Sequence, residues 1–328
     1  MKLSDAIKGH LLDLKISGAT EKHIHEVKRE LERFRSWAQG QEVLQLEDAS
    51  YIVLKLYISF LQDLTFSQDD PRISMRGKKV SAVTAQDYMR KVRSFFFWAE
   101  REGYLSGPNP VHRVPKIKIP KKVLPVFTPA QLQSMLNACD ITTPLGFRDY
   151  TILLLFMDTG IRVSELCSLM LNSMHDDYLI IWGKGSKERE VAFSSTSARE
   201  LFKYIHQYRQ PLSAEEQHIF LSFHGKPLDR RKVWEIIHDV AERAGVTGVR
   251  SSPHTLRHTF TREWLVKGGD IVSVSRLLGH TDIQTTQIYL TSFQSQEARS
   301  QHSKFSPVEV NKLGRKSTSK NRSKKKPQ

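Results

Sequence analysis

Between positions 107 and 125 the chain carries prolines at 108, 110, 115, 120 and 125, and no other feature limits its folding as severely. Proline has no N–H to give to a helix interior or a central strand, and its ring fixes φ, so no regular element runs through this segment. Gly107-Pro108-Asn109-Pro110 stops whatever precedes it. Pro115, Pro120 and Pro125 then hold Arg113–Pro125 extended, as a linker. A chain of 328 residues is thereby divided into two stretches, each long enough to bury its own apolar core.

The first stretch, residues 1–112, reads as helical. Apolar residues recur at helical spacing through Ile7, Leu11, Leu12 and Leu14, then through Ile24, Val27, Leu31, Phe34 and Trp37. Val53, Leu54, Tyr57, Ile58 and Leu61 continue the pattern. A last helix is expected over roughly 84–102, carrying Tyr88, Val92, Phe95, Phe96 and Trp98. The second stretch opens with Thr128-Pro129-Ala130-Gln131: a threonine N-cap, a proline at the first helical position and a glutamine placed to close a capping box. Helices are expected at about 129–139, 147–158, 195–208, 230–244, 253–267, 271–278 and 282–292. Tyr178–Trp182 and Glu190–Phe193, around Gly183-Lys184-Gly185-Ser186-Lys187, read as a β-hairpin.

The expected fold class is therefore mainly α. A helical N-terminal domain (1–112) and a basic linker (113–126) lead into a mostly helical, mixed α/β domain with a small antiparallel sheet (127–300). A basic tail (301–328), rich in Lys, Ser and Arg, is expected to be disordered.

The formal net charge is +15, and its distribution says more than its sum. The linker carries Arg113, Lys116, Lys118, Lys121 and Lys122 with no acidic residue, and residues 301–328 carry nine cations against one anion. Residues 127–300 balance nineteen against nineteen. Such basic segments favour nucleic acid as the partner, with a merely solubilising tail as the alternative. No apolar run approaches the length of a membrane span, and the N-terminal Met-Lys-Leu-Ser-Asp has no apolar h-region. Cys139 and Cys167, the only cysteines, form no CxxC pair, so a disulfide or zinc–thiolate scaffold is not expected and a cytoplasmic setting is.

Four pieces of the second stretch carry candidate chemistry. In Thr159-Gly160-Ile161-Arg162-Val163-Ser164-Glu165-Leu166, Arg162 follows a helix-ending glycine and precedes a new helix, with Glu165 three residues on. A simple surface ion pair is the alternative. The hairpin carries Lys184 and Lys187, but Tyr178 stands where a phosphate-binding P-loop needs its first glycine, so nucleotide binding is not expected. In Ser252-Pro253-His254-Thr255-Leu256-Arg257-His258, a serine cap and N1 proline place His254 and Arg257 on one face beside a helix N-terminus. His254 and His258 have the i, i+4 spacing of a zinc pair, yet the glutamate base of that motif is absent and Arg257 sets a fixed charge between them. Finally, Leu277-Leu278-Gly279-His280 is followed by Thr285-Thr286-Gln287-Ile288-Tyr289. A tyrosine on a helix is usually a packing residue, and the chain has nine.

Together, two arginines, two histidines, a lysine and a tyrosine suit the transfer of a phosphodiester without water or metal. Paired guanidiniums bind non-bridging oxygens. A phenol, with an ordinary pKa of ~10, needs a base and a cationic field to attack. The leaving alkoxide needs a proton, which a lysine can supply.

In these five strings, in this order, the chain resembles the tyrosine recombinase (phage integrase) family, and in particular its Xer-like and transposon-integrase members. The resemblance implies a core-binding domain followed by a catalytic domain that closes around double-stranded DNA. It implies that Arg162 and Arg257 clamp the scissile phosphate and that His254 accepts the tyrosine proton or hydrogen-bonds the phosphate. His280 would bind a phosphate oxygen, Lys184 would protonate the departing 5′-oxygen, and Tyr289 would form a 3′-phosphotyrosyl bond. Lys184 is preferred to Lys187 because the family's lysine directly follows the hairpin glycine. Glu165 would orient Arg162, and His258 would support the site. Lys116, Lys118, Lys121, Lys122, Lys187, Arg189, Arg230, Arg231 and Lys232 are candidate DNA contacts, a solvated helix start being the alternative for the last three. The resemblance further implies a homotetramer on DNA, with a related recombinase as a possible second partner. It implies strand exchange through a Holliday junction, no ATP, no metal and no other cofactor, and a cytoplasmic, nucleoid-associated enzyme. A type IB topoisomerase, a non-catalytic DNA-binding module and a metal-dependent nuclease are the rival readings.

Overall fold

Hydroxyl caps set the helix starts of the N-terminal stretch. Thr20 accepts from the His23 N–H, Ser50 from Val53 and Ser81 from Thr84, opening α2 (Glu21–Gln39), α3 (Tyr51–Asp63) and α4 (Ala82–Arg101). A first helix, α1 (Leu3–Ile16), precedes them. The computed structural model describes residues 1–68, 75–119, 125–182 and 188–279, and the chain divides into two units, Met1–Lys122 and Val123–Gln328.

In the first unit the apolar stripes of all four helices meet. Leu3, Ile7, Leu31, Phe34, Leu54, Tyr57, Leu61, Val92, Phe95 and Phe96 are buried, and the Phe34 ring meets Tyr57 edge-on at 4.9 Å. Glu30, which the apolar periodicity does not single out, is also fully buried and pairs with Arg29 and Arg33. Beyond α4 the chain turns through a 3₁₀ segment, Pro110–Arg113, and its start is clamped by Arg93. Arg93 Nη1 donates to Val111 O at 3.2 Å, and Nη2 donates to Val114 O and Pro115 O at 2.8 and 2.9 Å. Val114 and Ile117 are buried, and the Ile117 N–H donates to Gln86 Oε1. The first part of the expected linker thus packs on the helical unit, with Lys116 and Lys118 exposed; Lys121 and Lys122 lie outside the described residues.

The second unit begins with α5 (Pro129–Asn137), whose capping box joins Thr128 and Gln131 as expected. The apolar α6 (Pro144–Thr159) follows, and Ile152, Leu153, Leu155 and Phe156 are buried in the core. After the short α7 (Val163–Cys167) come β1 (Tyr178–Trp182) and β2 (Glu188–Ala192), an antiparallel pair. In its register Leu179 faces Val191 and Ile181 faces Arg189. Strand β2 starts at Glu188, earlier than expected. The single helix expected over 195–208 is α8 (Ser195–Lys203) continued by a π-helical turn, Tyr204–Tyr208. That turn stacks Tyr208 on Phe147 at 4.2 Å and Tyr204 on Phe220 at 5.4 Å, so tertiary ring packing overrides the α-helical period. Then follow α9 (Arg230–Arg243), α10 (Pro253–Val266) and α11 (Ile271–Leu278). The described chain is mainly α with one small antiparallel sheet, and none of its helices is long and apolar enough to cross a membrane.

Candidate active site

Two helix C-termini meet in the second unit, and arginines gather on them. Helix α6 is capped by Gly160 at φ +60° and α11 by Gly279 at φ +64°, left-handed positions that favour glycine. The last carbonyls of a helix lack intrahelical partners and carry partial negative charge, so they attract cations. Arg189 Nε donates to Leu277 O at 3.1 Å, Arg257 Nη2 to Leu278 O at 2.7 Å, and Arg162 Nη2 to Gly279 O at 3.1 Å. Three guanidiniums therefore hold three successive carbonyls. Arg257 also reaches the other terminus, with Nη1 2.7 Å from Gly160 O.

Glu165 joins two of these arginines. Its Oε1 accepts from Arg162 Nη1 at 2.9 Å and Arg189 Nη1 at 2.7 Å. Its Oε2 accepts from the Arg162 backbone N–H at 2.7 Å and Arg189 Nη2 at 2.8 Å. Burial alone would push this carboxyl up. The hydrogen bonds from Arg189 and the Arg162 backbone, the Arg189 charge and the Arg162 guanidinium outweigh burial and bring it down to about 2. Glu165 is thus a fixed anion, and it leaves the Arg162 side chain 39% exposed while Arg257 is 3% exposed.

One helical turn before Arg257, His254 stands exposed in the first turn of α10, behind the Ser252 cap and Pro253. Its pKa is lowered by desolvation, then by the charges of Arg257 and Arg250. The ring lines a cavity of about 320 Å³ together with Arg230, Trp234 and Arg250. His258, one turn on, meets His254 edge-on at 4.3 Å.

The structure thus brings Arg162, Glu165 and Arg257 together, with His254 and His258 on the same helix as Arg257. Lys184, Lys187, His280 and Tyr289 lie outside the described residues. Arg189 is placed otherwise than a DNA contact requires: its guanidinium turns inward and all three nitrogens are committed to Glu165 and Leu277. Of the triplet opening α9, Arg231 and Lys232 both pair with Glu235, whereas Arg230 lines the His254 cavity. Sequence reasoning passed over Arg250 and Trp234. Arg250 falls in a short connection with no periodicity, and Trp234 reads as an ordinary helix residue. Among the described residues the one group with metal-ligand spacing is His238, Asp239 and Glu242 on the exposed side of α9, apart from these arginines in sequence and bonding.

The chain is similar to known proteins along most of its length. The model of the phage integrase family matches residues 125–296. Tyrosine recombinase XerD of Staphylococcus haemolyticus is 30% identical over 294 residues, covering 88% of this chain and 94% of that protein. Among solved structures, the XerH site-specific recombinase in a post-cleavage complex with its palindromic difH substrate superposes with a TM-score of 0.67 at 19% identity, covering 87% of this chain and 80% of that one. A lambda integrase tetramer bound to a Holliday junction gives a TM-score of 0.64 at 17% identity, covering 90% and 80%.

Proposed function

Since this chain belongs to the phage integrase family of tyrosine recombinases, we propose that it breaks and rejoins double-stranded DNA at specific sites through Tyr289, with Arg162, Arg257, His254, Lys184 and His280 around the scissile phosphate. The chain is a site-specific tyrosine recombinase; the individual roles are the proposal. The observation that supports them is the set of three guanidiniums on the carbonyls of residues 277–279, in which Arg162 alone keeps a substantial exposed face.

A guanidinium has five N–H donors, and Arg162 retains some for a non-bridging phosphate oxygen. Arg257, more deeply set, adds charge behind it. As phosphorus becomes five-coordinate, charge accumulates on those oxygens, and a field already in place stabilises it without reorganisation. The Tyr289 phenol attacks phosphorus while its proton passes to His254, whose lowered pKa keeps the ring neutral and able to accept. The P–O5′ bond breaks and Lys184 protonates the departing oxygen. The 3′-phosphotyrosine conserves the energy of the broken bond, so attack by a 5′-hydroxyl displaces the Tyr289 oxygen and rejoins a strand. His280 binds a phosphate oxygen, His258 supports His254, and Arg230, Lys116 and Lys118 contact flanking backbone. On DNA the protein acts in the cytoplasm as a tetramer that exchanges strands between two sites through a Holliday junction.

A nicked suicide substrate from the protein's own locus tests this reading. Wild-type protein should form a covalent protein–DNA adduct, and Tyr289→Phe should bind the same DNA without forming one. An adduct with Tyr289→Phe would remove that residue as nucleophile. Relaxation of any supercoiled plasmid, whatever its sequence, would favour topoisomerase action.

A further inference from the structure

We propose that Arg189 is a positioning residue of the cleavage reaction: it fixes Glu165, and through Glu165 the phosphate-binding face of Arg162, while fastening β2 to the end of α11. This rests on Arg162 binding the phosphate.

The register of β1 and β2 sets the direction of the Arg189 side chain. Side chains alternate along a strand, and Arg189 lies two residues before the buried Val191, directly opposite the buried Ile181. It therefore points inward, where a guanidinium must find partners. It finds both oxygens of Glu165 and the carbonyl of Leu277, so its charge is spent inside the unit.

The Gly279 cap closes over the same side chain. A Cβ on Gly279 would lie 3.0 Å from Cδ, Nε and Cζ of Arg189. The arginine stem thus packs directly beneath the cap whose carbonyl holds Arg162, and the glycine at this φ of +64° leaves room for it. Three parts of the unit converge on one side chain: β2, which follows Lys184 and Lys187 in sequence, the start of α7 with Arg162, and the Leu277 carbonyl of α11, three residues before His280 in sequence.

The charged groups around Glu165 among the described residues are Arg162 at the start of α7, Arg189 on β2 and, at the neighbouring carbonyls, Arg257 on α10. Loss of Arg189 leaves the carboxyl buried with Arg162 as its only remaining hydrogen-bonding cation there. Its pKa then rises, and protonation loosens the Glu165 hold on Arg162, leaving the Gly279 carbonyl to position the guanidinium alone.

The test compares Arg189→Met, Arg189→Lys, Glu165→Gln and the double variant Arg189→Met/Glu165→Gln, with thermal melts to establish that each is folded. Two quantities are read: the single-turnover rate of adduct formation on a nicked substrate against pH, and DNA affinity against salt. Arg189→Met should slow adduct formation on the order of 100-fold, since small misplacements of an oriented group cost that much. Its rate should fall on acidification at a pH where the wild-type rate does not, and Arg189→Lys should restore part of it. The salt slope should be unchanged. The double variant should match Glu165→Gln alone within about twofold, because both changes remove one interaction.

Adduct formation at the wild-type rate in Arg189→Met overturns the proposal, as does a double variant whose losses multiply. So does a salt slope reduced by about one with an unaltered pH profile, which marks a phosphate contact. If Arg189→Met does not fold, Arg189→Lys carries the test: it keeps the charge, cannot span both carboxylate oxygens, and should show the same non-additivity with Glu165→Gln. Arg162→Ala stands apart, because an unchanged adduct rate there refutes the phosphate clamp itself, whatever the Arg189 variants do.

Discussion

Replacing Glu165 with glutamine keeps the outline of the side chain and removes a charge held by four hydrogen bonds from Arg162 and Arg189. A glutamine can accept at only one of its two terminal atoms, so its amide nitrogen would face guanidinium donors. The folded-state pKa of Glu165, about 2 against an ordinary 4.5, sets the scale: that gap corresponds to about 3 kcal/mol of native-state stabilisation at neutral pH. The native pKa lies below the unfolded value. The contribution is therefore complete above about pH 4.5 and is lost as the pH falls toward 2.

Glu165→Gln lacks that contribution at every pH. Its second unit should be about 3 kcal/mol less stable than wild type at neutral pH, and the two curves should converge on acidification. Because two units need not unfold together, the measurement must be local. Urea titrations read by hydrogen-exchange mass spectrometry on peptides from 144–182, run from neutral pH down to about pH 3, provide it. A difference that stays constant with pH, or no difference at neutral pH, would refute the reasoning, because neither is compatible with a carboxylate held ionised by its partners.

Gly160→Ala should destabilise the second unit by about 2–4 kcal/mol, since it combines a left-handed φ with a Cβ only 2.4 Å from Phe260 Cδ1; a thermal melt shifted by less than a degree would contradict this. Burial pushes the thiols of Cys139 and Cys167 up to about 12 and about 11, so iodoacetamide at mildly alkaline pH should label neither in the folded protein and both after denaturation, as mass spectrometry would show. Arg93→Ala should free the carbonyls of Val111, Val114 and Pro115 and raise hydrogen exchange over 111–117, leaving exchange in α6 unchanged. Deleting residues 301–328 should weaken nonspecific DNA binding and flatten its salt dependence, which filter binding over a salt series would report.

The parts legible in the sequence are those decided by neighbours along the chain. Thr128, Pro129 and Gln131 form their capping box, Ser252 and Pro253 open α10, and Gly160 and Gly279 close α6 and α11, because each needs only a few residues to be satisfied. What escaped depends on partners far away. Arg93 is written as one more cation on a helix, and its clamp consists of backbone carbonyls 18–22 residues on. Glu30 lies between buried positions of α2 but as a charged residue drops out of the apolar pattern. Arg189 is the instructive case. The alternation that makes Val191 a core residue places Arg189 on the same face, but the run Glu188-Arg189-Glu190 hides the strand, and a cation beside a lysine-rich turn reads naturally as a phosphate contact.

The inward placement of Arg189 bears on how a domain with no net formal charge can serve a phosphate. Residues 127–300 carry as many acids as bases, so the positive field cannot come from a surplus and must come from which cations are neutralised. Arg148 is paired with Asp149, Arg231 and Lys232 with Glu235, and Arg189 with Glu165. Around His254, Arg230 and Arg250 have no ion pair among the described residues, and Arg162 shares an acid that Arg189 already holds in both oxygens. The Glu165 carboxylate is therefore divided between two guanidiniums and offsets only part of their charge, so the exposed one retains attraction for an anion. A single Arg–Glu pair would be electrically closed. Two arginines on one buried glutamate, anchored to the negative ends of helix dipoles, give a rigid site that is still cationic before any DNA arrives.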